Sequence, residues 1–183
     1  MSKQITLGEV VMVSDPCYTE PTWCQKKLDN VKPGIYNVGV DKKGFGDWGN
    51  RVHKLVAIHE DYFGREIKWK LSFGTIGVDS GQAGIFDYPT YRKDGLIMEV
   101  PESDFVIDRD SEGDDWYEKM CKFTLSNESW GLYDNGVVCS SGIGDGAYDL
   151  FVMEDEGKVV GMMVEFLPDE DEEEDDWDEE EDD

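Results

Sequence analysis

Apolar positions recur with a period near two along most of the chain, and turn residues interrupt them at short intervals. A period of two puts successive side chains on opposite faces, so these runs read as half-buried β-strands. Ile5 to Val13 is the first run, stopped by Ser14-Asp15-Pro16. Pro33-Gly34 opens a second through Ile35, Tyr36, Val38 and Val40, and Lys42-Lys43-Gly44 ends it. Arg51 to Glu60 alternates Val52, Lys54, Val56 and Ile58 against His53, Leu55, Ala57 and His59. Ile67 to Val78 carries Trp69, Leu71 and Phe73 on one face, and Leu96 to Val100 and Val137 to Cys139 predict two short strands. Ala147 to Met153 and Val159 to Phe166 flank Glu154-Asp155-Glu156-Gly157-Lys158, which predicts a hairpin with Gly157 free to take φ > 0. One window departs from this pattern. Asp114 to Phe123 has acids at its start and Trp116, Met120 and Phe123 at i, i+4 and i+7, the spacing of one helix face. Eight or so strands and one short helix predict a mainly β fold: an antiparallel sandwich or a curled, partly closed sheet.

Charge changes this picture at one end only. The chain has 183 residues, 43 acidic and 17 basic side chains, and a formal net charge of −26. Asp169 to Asp183 is fifteen residues long, and all but Trp177 are Asp or Glu. The remainder, 1–168, holds 29 acids against 17 bases, a net of −12. The expectation is therefore one β-rich domain over 1–168 and a disordered acidic tail over 169–183, where like charges repel and no apolar periodicity exists. Direct binding to nucleic acid is disfavoured, because neutralising phosphates needs clustered Lys and Arg. Anionic membranes are disfavoured on the same grounds, and no run of apolar residues is long enough to span a bilayer. Cys17, Cys24, Cys121 and Cys139 form no C-x-x-C pair, and a domain with 22 aromatic residues needs no staples. Reduced thiols and a cytoplasmic location are expected.

Three glycine-rich segments at strand ends carry the candidate chemistry: Ser14 to Tyr18, Asp79 to Asp87, and Ser140 to Asp149. Two readings stand. In one, Asp15, Asp79 and Asp145 meet at one end of the sheet, with Ser80 and Gln82 beside them, and hold Mg²⁺ or Ca²⁺ or serve as acid and base. In the other, each Asp caps a turn through nearby backbone N–H groups. The third segment contains G-x-G-x-G, but no Lys-Ser/Thr and no helix follow, so it is not a P-loop. His53 and His59 are about 20 Å apart on an extended strand, too far for one metal ion, and read as structural. Trp48, with Trp23, Tyr62 and Tyr91, reads either as a stacking platform or, with the other tryptophans, as core filling.

Taken together, Asp15-Pro16-Cys17-Tyr18, Gly46 to Val52, Asp79-Ser80-Gly81-Gln82-Ala83-Gly84 and Ser141 to Tyr148 resemble an uncharacterised family of bacterial and phage proteins. That family pairs a D-S-G-x-x-G segment with a later S-G-x-G-D-G-x-Y segment and a closing hairpin. The resemblance covers roughly 5–167 and implies no activity, so it lends no residue a catalytic role.

The leading functional expectation is a non-enzymatic, acidic, cytoplasmic binding protein that engages a basic protein surface, in the host cytoplasm if the chain is phage-encoded. Its contacts would come from the tail, with Glu172, Glu173, Glu174, Asp175 and Asp176 as charge and Trp177 as an anchor. The alternative is a small-ligand-binding protein or metal-dependent enzyme built on the Asp15, Asp79 and Asp145 loops.

Overall fold

The computed structural model describes residues 3–19, 22–66, 68–92 and 115–167. Among the described residues, eleven strands form two antiparallel sheets that pack face to face, and one α-helix covers the outer face of the second sheet. The first sheet holds β1 (Lys3–Leu7), β4 (Gly34–Gly44), β5 (Asn50–His59), β6 (Lys70–Val78), β10 (Gly146–Asp155) and β11 (Lys158–Glu165). Its order is β1-β4-β5-β11-β10-β6. The second holds β2 (Val11–Ser14), β3 (Lys26–Leu28), β7 (Gln82–Asp87), β8 (Trp130–Leu132) and β9 (Gly136–Ser140), in the order β3-β2-β7-β9-β8. The helix α1 spans Asp115–Thr124. The sandwich, and one α-helix among the described residues, are thus as the periodicity predicts. The expected strand over Leu96 to Val100, the expected helix start at Asp114 and the acidic tail lie outside the described residues.

The layering explains which strands alternate. On β5, Leu55 and Ala57 face the inter-sheet core, while Val56 and Ile58 are half-buried on the outer face. A register shift leaves His53 as the extra residue of a bulge, since Asp41 pairs with Lys54 and Lys42 with Val52. That bulge lets both Val52 and His53 be buried. On β7 no alternation exists, because both of its faces are covered. Ala83 and Ile85 pack between the sheets, and Phe86 packs under the helix with Met12, Val138, Trp116 and Met120. The Phe86 ring also lies over Gly84 and Gly136, where a Cβ would collide with it, so glycine here makes room for an aromatic ring.

Two sequence expectations are corrected, and the orientation of a third strand is settled. Ile5 to Val13 is not one strand: the chain leaves the first sheet at Leu7 and enters the second at Val11, with the Gly8 N–H held by Asp87 Oδ1 at 2.7 Å. Asp79 to Asp87 is not wholly a loop, since Gln82 onward forms the central strand of the second sheet. The face shared by Trp69 and Leu71 is the outer one. Leu71 is 58% exposed, whereas Ile76 and Val78 supply the core from β6. The Phe73 side chain lies outside the described ones.

The final hairpin closes as expected. Asp155 pairs with Lys158, and Glu156 and Gly157 both have positive φ, 47° and 76°, the signature of a type I′ turn. Gly157→Val is expected to cost about 1–2 kcal/mol, because a β-branched residue is strained at that φ. Urea unfolding would read this as a lower midpoint at unchanged slope.

Candidate functional site

Asp15 directly follows β2 with its carboxylate fully buried, and every hydrogen bond it accepts comes from two of the three glycine-rich segments. Oδ1 accepts from the Cys17 N–H at 2.8 Å and from Ser80 Oγ at 2.6 Å. Oδ2 accepts from the N–H groups of Asp79, 2.8 Å, and Ser80, 2.7 Å. The bond to Cys17 is the turn-forming contact of an Asp before Pro, and the other three bolt the second segment to the first. Asp15 is therefore spent on three backbone N–H groups and the Ser80 hydroxyl of the protein itself.

The carbonyl oxygens of the same loop are satisfied from the helix side. Tyr91 donates its hydroxyl to Tyr18 O at 2.6 Å, Arg92 donates to Pro16 O and Cys17 O at 2.9 Å each, and Trp116 Nε1 donates to Pro16 O at 3.0 Å. Asp79 accepts from the Tyr18 hydroxyl, whose pKa is pushed up by burial and then by that carboxylate. Burial and the Asp15 charge likewise push the Cys17 thiol up, and burial alone does so for Cys139. Neither thiol is a poised nucleophile. All four cysteines are free. A reductant is expected to leave the melting temperature unchanged, and a thiol reagent should modify Cys139 only as the protein unfolds. Modification of Cys139 at the rate of an exposed thiol would contradict this burial.

The third segment folds back on itself. Ser141 Oγ and the Tyr148 hydroxyl both donate to Gly144 O, at 2.6 and 2.7 Å. Gly142 has φ 67° and sits so close to Val52 O, Phe166 and Leu167 that no side chain fits. The Ser141 N–H donates to Gly81 O at 3.0 Å, and Gly146 pairs with Val78, which brings this loop beside the second segment. The three segments thus gather at one end of the sandwich. The carboxylates do not gather with them into a ligand set: Asp15 is buried, Asp79 holds Tyr18, and Asp145 is exposed. Among the described residues no group of three or more His, Cys, Asp and Glu is placed to hold a metal ion. Gln82 is buried on β7, where its amide accepts from Thr124 Oγ1 at 3.2 Å and lies 3.5 Å from Cys121 Sγ. That contact is illegible in the sequence, because the helix residue Thr124 is 42 residues away.

Both histidines are buried. His59 Nδ1 accepts from the Asp61 N–H at 3.2 Å and its Nε2 faces Pro33 O at 3.3 Å, so both ring nitrogens are occupied by backbone. His53 lies between Asp41, 3.6 Å, and Glu165, 3.8 Å. The aromatic platform does not assemble. Tyr91 is buried under the helix with Trp116, while Trp48 stands 63% exposed near the β4–β5 turn with Arg51 over its ring. Core filling holds for Trp116 and fails for Trp48 and for Trp23, which is 90% exposed. Trp177 and the acids Glu172, Glu173, Glu174, Asp175 and Asp176 lie outside the described residues. No helix among the described residues is long and apolar enough to cross a membrane.

Comparison with family models, with curated proteins and with solved structures finds no match. The family resemblance drawn from the glycine segments rests on those motifs alone.

Proposed function

We propose that this chain is a non-enzymatic cytoplasmic protein that engages the basic surface of a partner protein, of the kind that otherwise grips nucleic acid, through its acidic C-terminal run. The observation that supports this reading is where the charge sits. The described residues hold 20 acids against 15 bases, a near balance for a two-sheet body. Residues 93–114 hold eight acids against two bases, and 169–183 hold fourteen acids and no base. Twenty of the 26 net negative charges thus lie in two stretches of sequence, 93–114 and 169–183. A run of like charge attracts an opposite surface over a Debye length, about 8 Å at physiological salt, and raises the encounter rate without needing a fixed shape. Within the sandwich, the carboxylate that a catalytic reading needs most, Asp15, is already committed to four donors.

The test is capture from a host lysate with the full chain and with the chain truncated after Pro168, each eluted by a salt gradient. A basic protein retained by the full chain and lost from the truncated one at low salt is the expected result. Identical partners at identical salt would overturn the reading.

A further inference from the structure

The two strands that flank β5 each carry a glycine on the outer face of the first sheet, and the two glycines meet different surroundings. Gly161 on β11 pairs with Ile58, and the Trp69 ring lies over it, so that an added Cβ would meet that ring at 3.2 Å. Gly39 on β4 pairs with Val56, and an added Cβ there would meet nothing within 4 Å. Conformation does not require glycine at this position either, since its φ is not positive. A glycine inside a strand weakens it, and its usual compensation is the close approach of another group to the backbone. Trp69 is that group for Gly161; among the described residues Gly39 has none.

Gly39 lines a groove of about 350 Å³, within the range of small-molecule sites. Val56, Ile58 and Phe63 give it apolar surface, and Phe63 is 54% exposed. Its polar groups come from the same face of β4, where Asn37, Gly39 and Asp41 alternate, so Asn37 and Asp41 stand about 13 Å apart with the glycine between them. Asn37 is 8% exposed, and its Oδ1 accepts from Gln4 Nε2 at 3.1 Å, which leaves Nδ2 a donor with no partner among the described residues. Asp41 forms no ion pair with Lys or Arg among the described residues, and its carboxylate lies 3.6 Å from His53 Nδ1. Lys54, opposite Asp41 in the register, pairs instead with Glu165 at 3.0 Å, and Lys3 is held 4.0 Å from the centre of the Trp130 ring. The groove thus offers an apolar floor, one donor and one uncompensated negative charge.

We propose that this groove binds a small aromatic amine, with its ring flat over Gly39 against Val56 and Phe63, its ammonium beside Asp41 and a hydroxyl oxygen accepting from Asn37 Nδ2. The ring takes over Gly39 the place that Trp69 takes over Gly161. A phenyl ring with a two-carbon amine and a para hydroxyl, plus a hydrogen bond at each end, matches the span of about 13 Å between the two polar side chains. The same carboxylate disfavours an anionic ligand. This site is separate from the acidic run that binds a protein partner.

Calorimetric titration of the full chain with tyramine at physiological salt tests it, beside three relatives. Phenethylamine lacks the hydroxyl, para-hydroxyphenylpropionate has a carboxylate in place of the amine, and hexylamine is a cation with no ring, which reports what the net negative charge attracts by itself. Saturable one-to-one binding of tyramine is expected, roughly fivefold weaker for phenethylamine and absent for the other two. Gly39→Val fills the groove and should abolish binding while leaving the urea midpoint unchanged or higher, because its side chain meets nothing and suits a strand. Asp41→Asn should weaken tyramine binding roughly threefold at an unchanged midpoint, the effect of an exposed ion pair. No saturable binding of tyramine, equal binding of hexylamine or of the carboxylate, or affinity that survives Gly39→Val overturns the site. Each of those failures leaves the reading of the acidic run untouched.

Discussion

Asp15→Ala is expected to destabilise the protein by about 3–5 kcal/mol, well beyond the usual cost of a single substitution. The carboxylate is fully buried and accepts from three backbone N–H groups and one hydroxyl. A buried donor left without its acceptor costs about 1–3 kcal/mol, and the substitution strands three N–H groups at once. Asp15→Asn should cost less, about 2–3 kcal/mol, because one oxygen still accepts while the new NH₂ meets donors rather than acceptors. Ser80→Ala removes a single bond and should cost about 1 kcal/mol. Urea unfolding at neutral pH measures all three. A loss below about 1 kcal/mol for Asp15→Ala, no more than one ordinary hydrogen bond, would mean that the loop finds other acceptors. The account of Asp15 as the clamp between the two segments would then fail.

The second large effect is on binding rather than stability. Truncation after Pro168 removes fourteen acids, and no described residue goes with them. Stability should change little or rise slightly, as some self-repulsion is relieved. Association with a basic partner is expected to slow about tenfold or more at low salt, the range over which electrostatic steering acts, and the difference should shrink as salt is raised. The fifteen-residue run spans about 50 Å at most when fully extended. Trp177→Ala should leave the salt-dependent part untouched and speed dissociation if the ring is an anchor. Stopped-flow mixing across a salt series separates the two. An association rate indifferent to both truncation and salt would make the acidic run a solubilising appendage.

Much of the fold is legible in the residues because its physics is local. The type I′ hairpin needs only two apolar runs and a Gly at the right place, and Glu156-Gly157 takes positive φ at both positions. The helix needs only Trp116, Met120 and Phe123 at helical spacing beside acids, and α1 follows that stripe, with Trp116 and Met120 buried. The concentration of charge in 169–183 is likewise a property of the chain.

Other features depend on partners distant in sequence. The periodicity of Gln82–Asp87 fails as a signal because its two faces are covered by different layers, the first sheet and the helix, and a strand buried on both sides has no polar face to alternate with. The break between β1 and β2 depends on which sheet each half joins, and the Gly8 N–H is anchored by Asp87, 79 residues on. The sequence leaves Asp15 undecided between ligand and cap for the same reason. Its turn contact to Cys17 is local and can be anticipated, but the three donors from Asp79 and Ser80 arrive only when β2 and β7 pair, 64 and 65 residues apart along the chain. Local propensity and charge are written along the chain, whereas a buried carboxylate's partners exist only once packing has excluded water and brought those donors to it.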